Sequence, residues 1–182
     1  MPAPDDGTVL ILTGPPGVGK TTAAALLAAR SERAVHLESD FFFRFIRAGF
    51  VEPWKPESQE QNATVMRIVA EAAAGYASAG YRTIVDGIVI PGWFFEPLRD
   101  NLREKGHAVS YAVLRAPLEV CLARVQGREG EPSIEAGPIE QLWRTFADLG
   151  DLERHVLEVD GMAPERVSAE LAERLSDGSL RA

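Results

Sequence analysis

The ten residues from Thr13 to Thr22 read TGPPGVGKTT, and they lie between the apolar run TVLILT (8–13) and the alanine-rich run AAALLAAR (23–30). Gly14 to Thr21 match the pattern G-x-x-x-x-G-K-[ST] where its mechanism requires it, after a buried strand and at the start of a helix. Glycines let the backbone wrap around a phosphate with its N–H groups pointing inward, and the helix N-terminus adds a favourable dipole. The stretch therefore predicts a strand, a phosphate-binding loop and a helix, in that order.

This loop predicts a nucleoside triphosphate as its ligand. The Lys20 ammonium is expected to neutralise oxygens of the β- and γ-phosphates, and the Thr21 hydroxyl is expected to bind Mg²⁺. The guanine-reading sequence Asn-Lys-x-Asp is absent, and motor and transporter ATPases need far longer chains, so we expect ATP and a small enzyme. The loop residues expected to contact the nucleotide are Gly14, Pro15, Pro16, Gly17, Val18, Gly19, Lys20, Thr21 and Thr22.

Short apolar runs rich in β-branched residues alternate along the chain with longer segments of helical period. This alternation predicts the α/β class, with helices on both faces of a five-stranded parallel sheet. Together with the phosphate-binding loop it predicts a three-layer P-loop NTPase fold. The predicted strands span 8–13, 34–39, 82–89, 107–115 and 155–160. The predicted helices span 20–30, 40–48, 58–79, 92–105, 117–127, 138–149 and 164–175.

The length and composition indicate one domain over residues 1–182. The polar stretch GREGEPSIEAGP (127–138) is rich in Gly and Pro and predicts a mobile lid at about 128–137. No run of about 18 apolar residues occurs, and acids stand near the N-terminus where a signal peptide carries basic residues, so we expect no membrane span and a cytoplasmic location. The net charge of −8 argues against nucleic acid as a partner.

Two aspartates are predicted at strand tips, the carboxyl ends of strands, beside the phosphate-binding loop. Asp40 follows the second strand in HLESD, and Asp86 ends the apolar part of the third strand in IVDG. Ligands of an open parallel sheet bind beyond the strand tips. Asp40 is therefore expected to orient an acceptor hydroxyl or take its proton, and Asp86 is expected to hold Mg²⁺ directly or through water. The alternatives are a helix N-cap for Asp40 and a turn residue for Asp86.

The stretches GPPGVGKTT, HLESD and IVDG resemble motifs of the P-loop small-molecule kinases, and the resemblance covers nearly the whole chain. Similar stretches occur in chloramphenicol phosphotransferase, zeta toxin, gluconate kinase and adenylylsulfate kinase. The resemblance implies a fold like that of the nucleoside monophosphate kinases, and it implies that Asp40 activates the acceptor hydroxyl. The chain departs from several sugar and nucleic-acid-end kinases, because their DGD or DD turn is SDF (39–41) here.

The stretch RVQGR (124–128) is similar to the R-x-x-G-R of adenylate kinase, where a helix ends and enters a lid. The resemblance implies that Arg124 packs on the adenine and that Arg128 reaches the phosphates during catalysis. A planar guanidinium with a fork of donors suits both tasks. The alternative is a pair of solvated arginines that the dipole favours at a helix end.

Two further stretches carry the resemblance. VDGMAPERV (159–167) resembles the loop of these kinases that touches adenine, with Gly161 to Pro164 as its lining. EPWKPESQEQN (52–62) resembles a D-x-W-x-P-x-S-x-x-Q-N stretch of uncharacterised bacterial ATP-binding proteins in the zeta-toxin-like group. Within it, Ser58 is expected to cap the next helix, with Gln61 at the capping-box position.

Aromatic residues and a few cations follow both aspartates and predict an acceptor pocket. The chain continues DFFFRFIRAGF from Asp40 and GIVIPGWFFEPL after Asp86. Such a lining suits a flat or semi-apolar molecule with a hydroxyl, and core packing is the alternative for each aromatic residue. The residues expected to contact the acceptor are Asp40, Phe43, Arg44, Arg47, Trp54, Asp86, Gly87 and Trp93.

These features predict an ATP- and Mg²⁺-dependent phosphotransferase that moves the γ-phosphoryl group to a hydroxyl of a small molecule, such as an antibiotic, a sugar, a nucleoside or a nucleotide-sugar. One alternative is an ATP-binding resistance protein of the tunicamycin-resistance type with little transfer activity. Another is a polynucleotide 5′-end kinase. The catalytic group expected under the first reading consists of Asp40, Lys20 and Arg128.

Overall fold

The computed structural model describes residues 7–127 and 136–182. Five strands form one sheet: β1 (Val9–Thr13), β2 (Ala34–Glu38), β3 (Arg82–Asp86), β4 (Val109–Arg115) and β5 (Val156–Glu158). Their order is β2-β3-β1-β4-β5, and every neighbouring pair is parallel. The predicted parallel sheet of five strands is confirmed, and the carboxyl ends of all five strands lie at one edge.

The seven predicted helices are present with changed bounds: α1 (Lys20–Ala28), α2 (Ser39–Arg44), α3 (Gln59–Ser78), α4 (Phe95–Glu104), α5 (Leu118–Gln126), α6 (Ala136–Arg144) and α7 (Pro164–Ser176). Two 3₁₀ helices span Pro56–Ser58 and Gly150–His155. The fourth helix was predicted from residue 92, but Gly92 has a φ of 76°, outside the helical range, so α4 begins later. None of the helices in the described ranges is both long enough and apolar enough to cross a membrane.

The three layers follow from the alternation of side chains along β1, since successive residues of a strand face opposite sides of a sheet. Val9 and Ile11 pack into a core with apolar residues of α3 and α4. Leu10 and Leu12 pack into a second core with residues of α1, α5 and α7. Both faces of the sheet are therefore covered, which is the layer arrangement that the sequence predicted.

A short backbone pairing completes the edge of β4. Strand β5 pairs only with Val113 to Arg115 of β4. Beside the first half of β4 the chain runs antiparallel, because the Tyr111 N–H donates to Leu180 O at 2.8 Å and the Ala182 N–H donates to Val109 O at 3.0 Å. Residues 180–182 thus occupy the position beside β4 that β5 does not reach.

Candidate functional site

The phosphate-binding loop from Gly14 to Gly19 connects the tip of β1 to α1 and packs closely on its neighbours. Gly14 and Gly17 both have positive φ angles, of 142° and 79°. A Cβ atom would lie 2.2 Å from the Leu114 carbonyl oxygen if Gly14 carried one, and 2.3 Å from the Cys121 carbonyl oxygen if Gly17 did. Both glycines are therefore required by close backbone approach as well as by conformation, and the loop is held against the end of β4 and against α5.

Lys20 is the first residue of α1, and its ammonium reaches back over the loop. Its Nζ donates to Gly14 O at 3.0 Å and to Pro15 O at 3.1 Å. These bonds hold the positive charge beside the backbone that would surround a phosphate. The neutralisation of phosphate oxygens by Lys20 stays a prediction.

Asp86 lies at the tip of β3 and is buried, with 3 % of its surface exposed. The Thr21 hydroxyl donates to Asp86 Oδ2 at 2.7 Å, so the structure brings the two residues together that were predicted to hold a metal ion. His36 Nε2 lies 3.3 Å from the same oxygen. Sequence reasoning missed His36, because its contact depends on the pairing of β2 with β3, where His36 lies beside Ile84.

The other carboxylate oxygen of Asp86 indicates what this site can hold. Asp86 Oδ1 is buried and has no hydrogen-bond partner among the described residues. Buried polar atoms are normally satisfied, so such an oxygen points to a ligand. In residues 7–127 and 136–182, no three His, Cys, Asp or Glu side chains lie together as a metal cluster. One carboxylate and one hydroxyl fit Mg²⁺, which keeps several waters and shares its remaining ligands with substrate phosphates.

The tips of β2 and β3 touch through Ser39 and Gly87. A Cβ atom at Gly87 would lie 1.9 Å from Ser39 Oγ, so the first residue of α2 is packed directly on the residue that follows Asp86. Asp40 comes next in α2 and is exposed. The contact places the predicted proton acceptor on the element that packs beside the predicted metal ligand.

A small cavity of about 230 Å³ lies on the other side of the phosphate-binding loop. Arg124 and Pro164, both predicted to contact the nucleotide, line it, whereas Gly161 does not. The Arg124 guanidinium donates to Val18 O at 3.1 Å, which fixes its plane at the wall of the cavity. A flat apolar slot with a planar guanidinium suits a nucleotide base. The complete lining is Val18, Gly19, Thr22, Ala23, Leu114, Arg124, Val159, Met162, Pro164 and Val167.

Sequence reasoning included Met162 within the predicted lining Gly161 to Pro164 but missed Val159 and Val167 on either side of it. Val159 precedes Gly161 in the same loop, and Val167 lies in the first turns of α7. Their apolar character within VDGMAPERV was the available signal, because a base-binding slot needs apolar walls. Gly161 instead has a φ of 68°, so it shapes the turn that directs Met162 to the cavity.

The loop after β3 is fixed by side chains from two other strands. The Val89 N–H donates to the Thr13 hydroxyl at 2.9 Å, and the Tyr111 hydroxyl donates to Val89 O at 2.8 Å. Burial raises the pKa of Tyr111 well above its ordinary value, so its hydroxyl keeps its proton and remains a donor. This loop carries Trp93, whose ring stacks on Phe94 with a centroid distance of 4.2 Å.

The remaining residues predicted on the acceptor side divide between surface and core. Phe43 is half-buried and packs against the core that includes α3 and α4, so core packing accounts for it. Arg44 is exposed, with its guanidinium 5.1 Å from the centre of the Phe41 ring. Arg47 is exposed beyond the end of α2, and Trp54 is exposed in the loop before α3.

A larger cavity of about 520 Å³ lies between α2, the loop that follows it and the first half of α3. Phe42 and Phe45 line it, together with Val65 and Ile68 of α3. Residues three or four apart share a face of a helix, so Phe42 and Phe45 lie on the side of α2 away from Asp40. The size of this cavity therefore does not make it the reaction site.

Arg128 and most of the lid predicted at about 128–137 lie outside the described residues. At the end of that range, residues 136 and 137 belong to α6. Helix α6 is fastened near the phosphate-binding loop, since Trp143 Nε1 donates to Ala116 O at 2.8 Å just beyond β4. The role of Arg128 stays a prediction.

The phosphate-binding loop lies at the tip of the central strand, β1, and Thr21 of the helix that follows it donates to the buried Asp86 carboxylate on the neighbouring strand, β3. These features define a P-loop protein of the kinase-like α/β type. Residues 9–148 match the model of an AAA domain family, AAA_33, and the chain belongs to that family. No curated protein matches the chain as a sequence relative.

The fold is shared with solved structures that include small-molecule kinases. The tunicamycin resistance protein of Deinococcus radiodurans is 22% identical, with a TM-score of 0.68 over 92% of this chain and 95% of that chain. A sugar kinase from Janibacter sp. HTCC2649 is 25% identical, with a TM-score of 0.65 over 93% and 94%. The APS kinase of Mycobacterium tuberculosis, in complex with AMPPNP and APS, is 18% identical, with a TM-score of 0.72 over 94% and 98%. These likenesses confirm the predicted P-loop kinase fold.

Proposed function

We propose that the chain is an ATP- and Mg²⁺-dependent phosphotransferase that moves the γ-phosphoryl group of ATP to a hydroxyl of a small molecule. The observation that carries the proposal is the second carboxylate, Asp40, at the tip of β2. It is exposed, and it follows directly on Ser39, which packs against Gly87 beside Asp86. A carboxylate at this edge of the sheet can orient a hydroxyl nucleophile and accept its proton.

The donor side uses the residues already brought together around the loop. The backbone N–H groups of 14–22 would surround the phosphates, and the cavity beside Arg124 and Pro164 would take the adenine. Thr21 and Asp86 would hold Mg²⁺ through the hydroxyl and the unpartnered Oδ1. When bound, Mg²⁺ supplies charge neutralisation on the β- and γ-phosphates.

The proposed reaction forms one bond and breaks one. The acceptor oxygen bonds to the γ-phosphorus, the bond from that phosphorus to the β,γ-bridging oxygen breaks, and ADP leaves. Asp40 receives the proton of the acceptor hydroxyl, and Lys20 stabilises the negative charge on the transferred group and on the leaving phosphate. Catalysis by these residues rests on positioning and charge, as phosphoryl transfer generally does.

The test uses γ-labelled ATP with a panel of antibiotics, sugars, nucleosides and nucleotide-sugars, and mass spectrometry identifies any phosphorylated product. With the acceptor so found, Asp40→Asn should lower kcat about 100-fold or more, because the variant cannot accept the proton. Its affinity for ATP should stay within about twofold of the original, since Asp40 lies on the acceptor side. Asp100→Asn, an exposed aspartate in the middle of α4, is the matched control and should transfer normally. Normal turnover by Asp40→Asn would remove the base assignment.

The tunicamycin resistance protein among the structural neighbours supports a second candidate, an ATP-binding resistance protein with little transfer activity. Tight ATP binding with no phosphorylated product from the whole panel would favour it. A polynucleotide 5′-end kinase is disfavoured by the net charge of −8. Strong, salt-dependent binding of an oligonucleotide would instead support that third candidate.

A further inference from the structure

The indole of Trp54 is unusually exposed for so large an apolar side chain, with 72 % of its surface accessible. It stands in the loop of residues 51–57, between α2 and α3, which we call the Trp54 loop. A single exposed apolar residue needs no explanation on its own. What distinguishes Trp54 is the set of buried polar contacts that hold the backbone on both sides of it.

Three side chains at the start of α3 fix this loop. The Gln61 amide closes a pair of bonds with one residue, because Val51 N donates to Gln61 Oε1 at 2.9 Å and Gln61 Nε2 donates to Val51 O at 2.6 Å. Asn62 is buried, and its Nδ2 donates to Pro53 O and to Ser58 Oγ, each at 2.8 Å. The Ser58 hydroxyl lies 2.8 Å from Pro53 O and 2.7 Å from Lys55 O, and its single proton can be donated to either carbonyl.

Helix capping does not explain these contacts. Ser58 directly precedes α3, but its side chain makes no cap hydrogen bond, and Gln61 turns to Val51 instead of forming the predicted capping box. Burying the polar groups of a serine and an asparagine costs free energy that their hydrogen bonds must offset. Here those bonds go to backbone carbonyls on both sides of Trp54, so they hold the backbone of the loop in one conformation.

The topology places the Trp54 loop at the edge of the sheet where the reaction site lies. Helix α3 leads into β3 from the opposite edge, so its first residue lies on the side of the strand tips. Its 20 residues span about 30 Å, whereas the five residues of β3 span about 16 Å. The first turns of α3 therefore extend roughly 10 Å beyond Asp86, and they place the Trp54 loop at the edge of the sheet that carries Asp40 and Asp86.

Two other exposed aromatic side chains lie at the same edge. Phe41 follows Asp40 in α2, and Trp93 lies in the loop after β3. The Arg44 guanidinium lies 5.1 Å from the centre of the Phe41 ring. Beside Trp54, Lys55 forms an ion pair with Glu52 at 2.8 Å, so these two charges neutralise each other.

We propose that the Trp54 loop is a rigid wall of the acceptor site, and that it selects acceptors that present one face of a ring, aromatic or sugar, to the indole of Trp54. The proposal rests on the proposed function for the identity of the site as an acceptor site. Trp54 contacts the ring, and Ser58, Gln61 and Asn62 are positioning residues that act through it. A ring gains contact on an indole whose backbone is already held in place, because the loop does not have to be ordered on binding.

The test observes Trp54 directly by ¹⁹F NMR of the full chain labelled with 5-fluorotryptophan. Trp54, Trp93 and Trp143 give three signals, and Trp54→Phe assigns one of them. The probes are uridine, p-nitrophenyl β-D-glucoside and 2-phenylethanol, each with ATP absent, and erythritol is the ringless comparison. We expect ring-bearing probes to shift the Trp54 signal in a saturable way and erythritol to leave it unchanged.

Variants distinguish a Trp54 loop that contacts the acceptor from a loop that only supports the fold. Trp54→Ala should weaken binding of the ring-bearing probes about three- to tenfold, the range that an aromatic contact supplies. Asn62→Ala should weaken the same probes, while leaving the KM for any ringless acceptor that is phosphorylated within about twofold. Tyr76→Ala is the matched control, because Tyr76 is also exposed, at 43 %, but lies near the far end of α3.

The outcomes distinguish this proposal from the proposed function. A shifted Trp54 signal with no phosphorylated product from the panel would support the wall and count against the transferase. Phosphorylated product with no shift of Trp54 by any ring-bearing probe would overturn the wall alone. Equal losses in Trp54→Ala and Tyr76→Ala, or equal losses for ring-bearing and ringless compounds, would also overturn it.

Discussion

Gly87 offers a sharp test of how the two strand tips are held, because one methyl group should disturb them. The residue is buried directly after Asp86, and its φ lies outside the positive range, so alanine can adopt the same backbone conformation. In Gly87→Ala the new Cβ would lie 1.9 Å from Ser39 Oγ and 3.0 Å from Ser39 Cβ. The substitution therefore acts by steric contact alone, and its consequences come from the displacement of Ser39 at the start of α2.

The size of the effect follows from that contact. Ordinary van der Waals contact begins at about 3.4 Å, so the new methyl group and the Ser39 hydroxyl must separate by about 1.5 Å. Overpacking of this kind costs about 1–3 kcal/mol of unfolding free energy. Because Asp40 is the next residue of α2, we also expect phosphoryl transfer to fall at least tenfold, since about 1 Å of misplacement is enough to slow a positioned reaction strongly.

Chemical denaturation of Gly87→Ala, Ser39→Gly, the double variant and one control measures the energetic coupling between residues 39 and 87. The Ser39→Gly change removes both atoms that the new methyl group meets, so the double variant should regain at least about 1 kcal/mol relative to the sum of the single changes. Gly75→Ala is the control, because Gly75 is exposed within α3 and a Cβ there meets nothing within 4 Å. That same chemical change should stabilise the chain by about 0.5–1 kcal/mol. Additive effects of Gly87→Ala and Ser39→Gly would refute the reasoning.

Two further predictions concern histidines. His36→Leu should raise the Mg²⁺ concentration needed for half-maximal stabilisation of the ATP complex several-fold, because it removes the group that fixes Asp86 Oδ2. His36→Gln, which keeps a donor, should behave nearly as the original, and equal effects of both changes in thermal-shift titrations would contradict the contact. His155 is fully buried against Tyr111, and burial lowers its pKa from the ordinary value of 6.5. The unfolded chain then binds this proton more readily, so the free energy of unfolding should fall as the pH drops below about 6.5, and His155→Phe should flatten that fall in denaturation curves between pH 7 and 5.

The parts of the fold that the sequence predicted well are those fixed by local pattern. The loop TGPPGVGKTT carries its own strand and helix, and alternation in β1 assigns Val9 and Leu10 to opposite faces without any knowledge of the neighbours. Element bounds were less predictable, because distant side chains decide them. The loss of the capping box at Ser58 is an example, since the Trp54 loop competes successfully for the Ser58 and Gln61 side chains.

The parts of the candidate site that lie at strand tips could be predicted from the sequence. The contacts that depend on the order of the strands in the sheet could not. Asp86 and Thr21 could be paired because both belong to known positions around a phosphate-binding loop. The contact of His36 with Asp86 required the knowledge that β2 lies beside β3. Phe43 was assigned to the acceptor side from proximity in sequence alone, and the structure packs it partly buried against the core, so its contact with an acceptor stays a prediction.

The backbone pairing of residues 180–182 with β4 has a consequence for association between molecules. Without it, the unpaired N–H and C=O groups of Val109 to Tyr111 would form a short open strand edge, which is a template for strand addition by another chain. Arg103 fastens this pairing from α4, because its guanidinium donates to the Ala182 carbonyl. Any change that strips residues 180–182 from β4 therefore exposes a strand edge that is prone to aggregation.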